Sequence, residues 1–248
     1  MDADTGDYGA ATYGDQIADI YDDLFKAPAD VAAAVSTLTS LAASGPALEL
    51  GIGTGRLALP LREAGVEVHG IDASPAMVSK LRLKPGGHAI PVTIADFTRF
   101  ELDRRYRLIY VVFNTFFCLL TQEAQVSCFQ SVAHHLEPDG VFLLEAFVPD
   151  TNRFQNGQRV SVSRMAADRV HLEMSLYSPI SQTVQSFHAI LGNDHLRLYP
   201  VRVRYAFVSE LDLMARIAGL TLRERWSSWS RQPFDESCTT HVSVWARP

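Results

Sequence analysis

The sequence predicts an α/β fold: a doubly wound, mostly parallel sheet of seven strands, with an antiparallel β insertion before the last α/β unit. Three observations carry this. The stretch Ala47 to Gly55, A-L-E-L-G-I-G-T-G, is an apolar strand running into a turn with glycine at every second position. Between Ala47 and Phe147, short apolar runs alternate with stretches of helical period, as in parallel strands joined by crossover helices. From about Gln158 the apolar period changes to two, as in strands with one covered face.

Residues 1–12 are small and polar. From Tyr13 a helical spacing runs through Ile17, Ile20, Tyr21, Leu24 and Phe25, which puts Tyr13 and Tyr21 near one helix face. Either that face packs on the domain, or a tyrosine hydroxyl points into a cavity. Pro28 interrupts, and Asp30 can cap a helix through about Leu41, which Ser44-Gly45-Pro46 ends. Strand one is Ala47 to Leu50. Glycine at 51, 53 and 55 lets the backbone turn sharply and removes Cβ atoms that would block a ligand. The next helix, about Gly55 to Ala64, offers its N-terminal N–H groups to a carboxylate or phosphate. Strand two, Val66 to Ile71, ends on Asp72, where an acid can accept both hydroxyls of a ribose lying across the sheet. Ser74 with Pro75 behind it is the better cap for the following helix, which frees Asp72 for a ligand. Strand three, about Ala89 to Ala95, leads to Asp96-Phe97. Strand four, Leu108 to Phe113, is continuously apolar, as a buried parallel strand is, and ends in Asn114-Thr115-Phe116-Phe117-Cys118. A helix, Gln122 to Leu136, and a turn, Glu137 to Gly140, precede strand five, Val141 to Phe147. Glu145 and Phe147 sit toward the end of that strand, where open α/β sheets bind ligands.

Residues 158–207 read as three or four antiparallel strands, broken at Ala166-Ala167-Asp168, Ser178-Pro179 and Gly192-Asn193-Asp194. They could roof a cavity, form a dimer contact or serve structure alone. A helix capped by Ser209 (Glu210 to Ala218, with Gly219 behind it) and strands near Leu220 to Trp226 and Thr240 to Ala246 close the sheet with an antiparallel partner. The expected layout is a helical lid (1–45), a binding domain (46–150 and 208–248) and an inserted cover (151–207).

With 22 basic and 28 acidic residues, the net charge of −6 and the lack of a basic block argue against a nucleic-acid partner. Cys118, Cys128 and Cys238 form no C-x-x-C pair, and no H-E-x-x-H occurs, so no metal is expected. The acidic N-terminus M-D-A-D-T-G-D lacks the parts of a signal peptide, and no apolar run has the length of a membrane span. The expected location is cytoplasmic, without a membrane partner.

The glycine spacing discriminates between nucleotide folds. A dinucleotide fingerprint begun at Gly51 needs glycine where Arg56 stands; begun at Gly53 it fits only the looser form ending at Ala58. No lysine follows Gly55, which excludes a Walker A loop. What stands in full is E-x-G-x-G-x-G, which resembles motif I of the class I S-adenosylmethionine-dependent methyltransferases. G-I-D-A-S-P-A-M-V resembles their motif II, L-E-P-D-G-V-F-L-L-E resembles the turn before their fifth strand, and Y-G-D-Q-I-A-D-I-Y-D looks like the lid of their small-molecule members.

The resemblance implies a Rossmann-like domain with S-adenosyl-L-methionine as cofactor, held by Tyr21, Glu49, Gly51, Gly53, Gly55, Asp72, Ala73, Met77, Asp96, Phe97 and Asn114. In it, Ala73 and Met77 flank the adenine, Asp96 accepts from its amino group and Phe97 packs on the ring. Plain packing for Met77 and a loop role for Asp96 remain open. The loop N-T-F-F departs from the N-P-P-Y of DNA and glutamine methyltransferases, which argues against a flipped base or an amide nitrogen. The amino-sugar N-methyltransferases of antibiotic pathways are nearest in layout, but Cys118 stands where they carry a histidine.

Methyl transfer from a sulfonium is an in-line displacement, and the protein chiefly holds the reacting atoms in line. A base is needed for a hydroxyl or an ammonium acceptor. Candidate catalytic residues are Tyr13, Tyr21, Phe117, Glu145 and His188, with His171 and His195 as further bases. Phe117 would be an apolar wall near the sulfonium or a core residue. His134 and His135 fall on the helix behind the sheet. The expected activity is methylation of an amine or hydroxyl of a small molecule in secondary metabolism, by a possible homodimer. The alternatives are a protein or RNA substrate, a non-catalytic cofactor-binding protein, and an oxidoreductase.

Overall fold

The structure, a computed structural model, describes residues 8–25, 30–192 and 196–248. Its main sheet has seven strands in the order β3-β2-β1-β4-β5-β11-β10. These are β1 (Ala47–Leu50), β2 (Val68–Asp72), β3 (Val92–Ile94), β4 (Tyr106–Val111), β5 (Leu136–Phe147), β10 (Thr221–Trp226) and β11 (Thr240–Ala246). All pairings are parallel except those of β11 with β5 and β10. Every residue of β1 is buried, because alternate side chains enter cores on both faces of the sheet. One core joins Leu48, Leu50, Ile109 and Val111 to Phe129, Met214 and Trp245; the other joins Ala47, Leu108 and Tyr110 to Leu38 and Leu61. That two-sided burial is why these strands read as continuous apolar runs.

The crossover helices are α3 (Val31–Ala42), α4 (Ala58–Glu63), α5 (Pro75–Arg82), α6 (Gln122–His135) and α7 (Val208–Ile217). α4 begins three residues later than the sequence suggests, because Gly55 is left-handed at φ +79° and cannot enter a helix. The expected helix N-terminus therefore does not border the glycine turn. α7 begins at Val208, so Ser209 lies inside its first turn and does not cap it. Its other end is as expected: Gly219 is left-handed, Gly219 N–H donates to Arg216 O, and Leu220 N–H donates to Ala215 O at 2.8 Å. The expected turn at Glu137–Gly140 is absorbed into β5 as a bulge, since pairing jumps from Tyr106–Leu136 to Leu108–Val141. β3 is shorter than expected because Gly87–Ala89 form a 3-10 turn.

The N-terminal segment is two helices, α1 (Thr12–Ile17) and α2 (Tyr21–Leu24), not one. A tight turn between them, with Ile20 N–H donating to Ile17 O, reorients the second helix. α1 lies directly on α5: a Cβ on Gly14 would stand 2.6 Å from Ser74 Cβ.

The insertion is a separate four-stranded antiparallel sheet: β6 (Gln158–Met165), β7 (Arg169–Ser178), β8 (Thr183–Gly192) and β9 (Leu196–Arg204). Arg204, buried at its base, donates to Gln125 of α6 and to Gln182, and pairs with Glu210 of α7 at 2.8 Å. A buried guanidinium with three partners fixes the angle between the sheets. Among the described residues no helix is long and apolar enough to cross a membrane, and no group of three or more His, Cys, Asp or Glu could hold a metal ion.

A Cβ on Gly55 would meet Leu81 Cδ1 at 2.4 Å in a backbone region that alanine disfavours. Gly55→Ala should destabilise the protein by about 1–3 kcal/mol, read as a lowered midpoint in thermal denaturation.

Candidate active site

The carboxyl ends of β1, β2, β4 and β5 open into a cavity of about 1050 Å³, roofed by the second sheet and closed at the side by α1 and α2. It lies where the strand order reverses between β1 and β4, the position at which doubly wound sheets bind ligands.

The floor is built by the glycine turn and Asp72. Gly51 and Gly53 are left-handed, and a Cβ on Gly51 would stand 2.4 Å from Thr115 Cγ2, so the turn after β1 and the loop after β4 can touch only here. Asp72 Oδ2 accepts from Gly53 N–H at 2.6 Å, and Oδ1 accepts from Ser74 N–H at 2.8 Å. Burial raises its pKa, against the pull of those two bonds. Ser74 caps α5 as expected, accepting from Met77 N–H at 3.1 Å. The expectation that this leaves Asp72 uncommitted is corrected: Asp72 ties two backbone segments together. Each of its oxygens keeps a second acceptor site, and the residue lines the cavity. Ala73, Met77 and Phe97 line the same end. Asp96 does too, at the rim, with Oδ1 accepting from the Thr98 N–H and hydroxyl. Gly55 does not line the cavity; it is packed under Leu81.

Glu49, on β1, is buried beneath the turn and accepts from the Tyr110 hydroxyl at 2.9 Å. Burial pushes its carboxyl up to about 8, with the Tyr110 bond and Arg56 opposing. Arg56 is the residue the sequence reading missed. It served there only to reject a dinucleotide fingerprint, although a basic residue directly after the third glycine was the available signal. Its guanidinium lies 3.4 Å from the centroid of the Phe113 ring, and Nη2 donates to the Tyr21 hydroxyl at 3.3 Å. Its Nε is buried without a hydrogen-bond partner among the described residues.

After β4 the chain turns through Phe113 (φ +55°) and Asn114 (φ +65°), two consecutive left-handed residues that are not glycine. Asn114 Oδ1 accepts from Phe147 N–H at 2.7 Å. Phe113 N–H donates to Glu145 Oε2 at 3.1 Å, and the indole of Trp229 donates to Glu145 Oε1 at 3.0 Å. Glu145 thus borders the cavity with each oxygen accepting one hydrogen bond, and burial raises its pKa against those bonds. Phe117 is also corrected: it is fully buried against Phe116 and Phe147 and does not line the cavity. Phe113 and Phe147 are among the phenylalanines that do. The Cys118 thiol faces the same cavity, with its pKa pushed up to about 11 by burial.

The roof presents Glu173, Ser186 and His188, neighbours across β7 and β8. Burial lowers the pKa of His188, with Glu173 opposing. On β7 the apolar residues that marked the strand (Val170, Leu172, Met174, Leu176) lie on the other face. Alternation alone does not say which face covers a cavity, and this hid Glu173. His171 does not line the cavity, and His195 lies outside the described residues. His135 is structural as expected, accepting from Leu102 N–H, and His134 is exposed beside Glu101.

Both Tyr13 and Tyr21 line the cavity, and burial raises the pKa of each hydroxyl. Of the two sequence readings, this is the one with hydroxyls in the cavity, reached by two short helices in place of one face. The lid is latched by its acids. Asp15 accepts from the Ser74 hydroxyl at 2.5 Å, Asp19 pairs with Lys80 at 2.7 Å, and Asp22 pairs with Lys84 at 2.7 Å and accepts from the Thr54 hydroxyl. It also reaches the roof, where Phe25 meets the His188 ring edge-on and the Tyr8 hydroxyl accepts from Arg202 N–H.

A carboxylate at the end of β2, a glycine turn after β1 and a cavity at the switch point define a nucleoside-binding α/β enzyme. The chain belongs to the class I S-adenosylmethionine-dependent methyltransferases, and S-adenosylmethionine is its cofactor. Residues 47–140 match the methyltransferase domain family. The CcbJ methyltransferase from Streptomyces caelestis is 40% identical, with a TM-score of 0.92 over 97% of this chain and 99% of that one. The cypemycin N-terminal methyltransferase of a Streptomyces species is 28% identical over 188 residues, 75% of this chain and 77% of that protein. CalS10, an amino pentose methyltransferase from Micromonospora echinaspora solved with S-adenosylmethionine bound, shares the fold at 18% identity and a TM-score of 0.67, over 91% of this chain and 96% of that one.

Asp22 holds the lid to both Thr54 and Lys84. Asp22→Ala should speed amide hydrogen exchange of residues 12–25 several-fold and leave the main sheet protected, as mass spectrometry of peptides would read.

Proposed function

We propose that this chain methylates an amine nitrogen of a small molecule in secondary metabolism, with the cofactor on the floor of the cavity and the acceptor under the roof. The observation that carries this reading is the continuity of one cavity from Asp72 to the Glu173–His188 pair, sealed by aromatic side chains. The relative named as an N-terminal methyltransferase agrees with it.

The residues fit the cofactor. Asp72, with a second acceptor site on each oxygen, would take the ribose hydroxyls. Asp96 and Phe97 border the adenine end, with Ala73 and Met77 on the opposite wall. At the other end Arg56 has an unsatisfied buried donor suited to a carboxylate, beside Glu49, suited to an ammonium. Asn114 and Tyr21 hold the walls around that amino-acid end. When bound, the cofactor supplies an electrophilic methyl group on a sulfonium. The chain's own work is to orient the acceptor, exclude water by the lid and accept a proton. His188, kept neutral by burial, is the base on the roof, and Tyr13 contributes a hydroxyl from the lid. A neutral amine attacks without prior deprotonation, so His188 has only to receive the proton released. The lid (1–45), the cofactor domain (46–150, 208–248) and the cover (151–207) then divide the labour.

The outer face of the second sheet supports a homodimer. Val160, Val162, Leu191, Leu196 and Leu198 are exposed there with no charged residue between them on the alternation. A neutral apolar face suits a second copy of a chain that carries −6.

Three measurements test this reading. Calorimetric titration should give micromolar binding of S-adenosylmethionine and none of NAD, and Asp72→Ala should weaken that binding more than tenfold, since a bond to a charged group contributes about 1.5–3 kcal/mol. Unchanged affinity in the variant removes Asp72 from the site. Glu49, protonated near neutrality at a pKa of about 8, must ionise when an ammonium arrives, so binding should release a proton and affinity should rise with pH up to about that value. Buffers of different ionisation enthalpy read the proton, and a pH-independent affinity removes Glu49 from the ammonium. Sedimentation velocity should find a dimer that Val162→Glu dissociates; a monomeric wild type overturns the interface.

A further inference from the structure

The loop between β10 and β11 is remote from the cofactor motifs, yet one of its side chains reaches them. It is a fixed loop: Ser227 N–H donates to Gln232 O, Arg231 N–H donates to Ser228 O, and the Thr240 hydroxyl donates to Ser227 O. Trp229 projects from it into the core that packs α3 and α4 on the sheet, 5% exposed. It does not line the cavity. Its indole N–H is bonded to Glu145, whose other oxygen holds the Phe113 N–H.

The Phe113–Asn114 turn needs such help. Left-handed φ at two adjacent residues with side chains is held only when surrounding bonds over-determine it. Here the bonds are Glu145 to the Phe113 amide and Asn114 to the Phe147 amide. The product of the turn is the placement of the Phe113 ring flat against the Arg56 guanidinium. Glu145 serves both donors with its two oxygens separately aimed. Trp229 sets that aim by occupying one oxygen and presenting the other to the backbone.

We propose that Trp229 is a positioning residue for the cofactor pocket, acting through Glu145 on the Phe113–Asn114 turn and so on Arg56. Glu145 is then a brace and not the general base. The proposal rests on the reading that Arg56 faces the amino-acid end of S-adenosylmethionine.

The test is a double-mutant cycle read by calorimetric titration of the full chain with S-adenosylmethionine. Trp229→Phe keeps the ring volume class and removes the donor. Glu145→Gln places an amide N–H against one of the two donors and breaks the same chain of bonds. Each single variant should weaken binding about tenfold, and the double variant should be no weaker than the worse single. Additive losses, or wild-type affinity in a folded Trp229→Phe, overturn the proposal, since a packing role lowers the melting midpoint without changing the affinity of the folded protein. If Trp229→Phe is poorly folded, Glu145→Gln decides the matter through its pH profile. A brace predicts weaker cofactor binding with the turnover profile unmoved, and a base predicts intact binding with the limb lost. Failure of the wild type to bind S-adenosylmethionine would refute the functional reading itself, a result distinct from any failure of the variants.

Discussion

Asp72 accepts one backbone hydrogen bond from the glycine turn after β1 and another from the first turn of α5. Those two segments are the walls of the cofactor end of the cavity. A buried carboxylate without partners would be costly to desolvate, and two N–H donors hold it in place. The same bonds fix the shape of the turn, so position and charge are set together. Gly51 then allows Thr115 to close over the turn, which brings the loop after β4 within reach of the floor.

Strain and charge concentrate at the opposite end. Two left-handed residues, a guanidinium on a phenyl ring and a carboxyl raised to about 8 all meet within a few side chains of each other. None of these would persist alone in a stable core. They are held by bonds from β5, from the loop before β11 and from Tyr110, each outside the cavity or at its edge. A site that must receive a charged, zwitterionic ligand is kept incomplete in charge and complete in shape.

The roof is coupled to the floor through the lid and not only through Arg204. Acids on α1, on α2 and in the turn between them reach down to Ser74, Lys80 and Lys84, while Tyr8 and Phe25 reach up to β9 and to His188. The exposed ion pairs in this latch are weakly held in water, as an entry route for ligand requires. The lid thus touches both halves of the cavity.

The sheet and the floor of the site were readable in the sequence because they depend on local signals. Apolar runs mark β1 and β4 when both faces are covered, glycine marks left-handed turns, and an acid at the end of β2 marks the ligand edge. Boundaries slipped where a local rule met a tertiary one: Gly55 delayed α4, and a tight turn split the lid helix. Phe117 was misjudged for one reason. Spacing places a residue on a loop or a strand, but whether it faces a cavity, a core or two donors depends on what packs against it. Arg56 and Trp229 show the same limit from the other side, since their partners Phe113 and Glu145 are distant in sequence. The sequence by itself determined the fold and the cofactor class. Only the tertiary structure decided which side chains face the cavity, because that depends on long-range packing between segments whose local patterns are identical on either face.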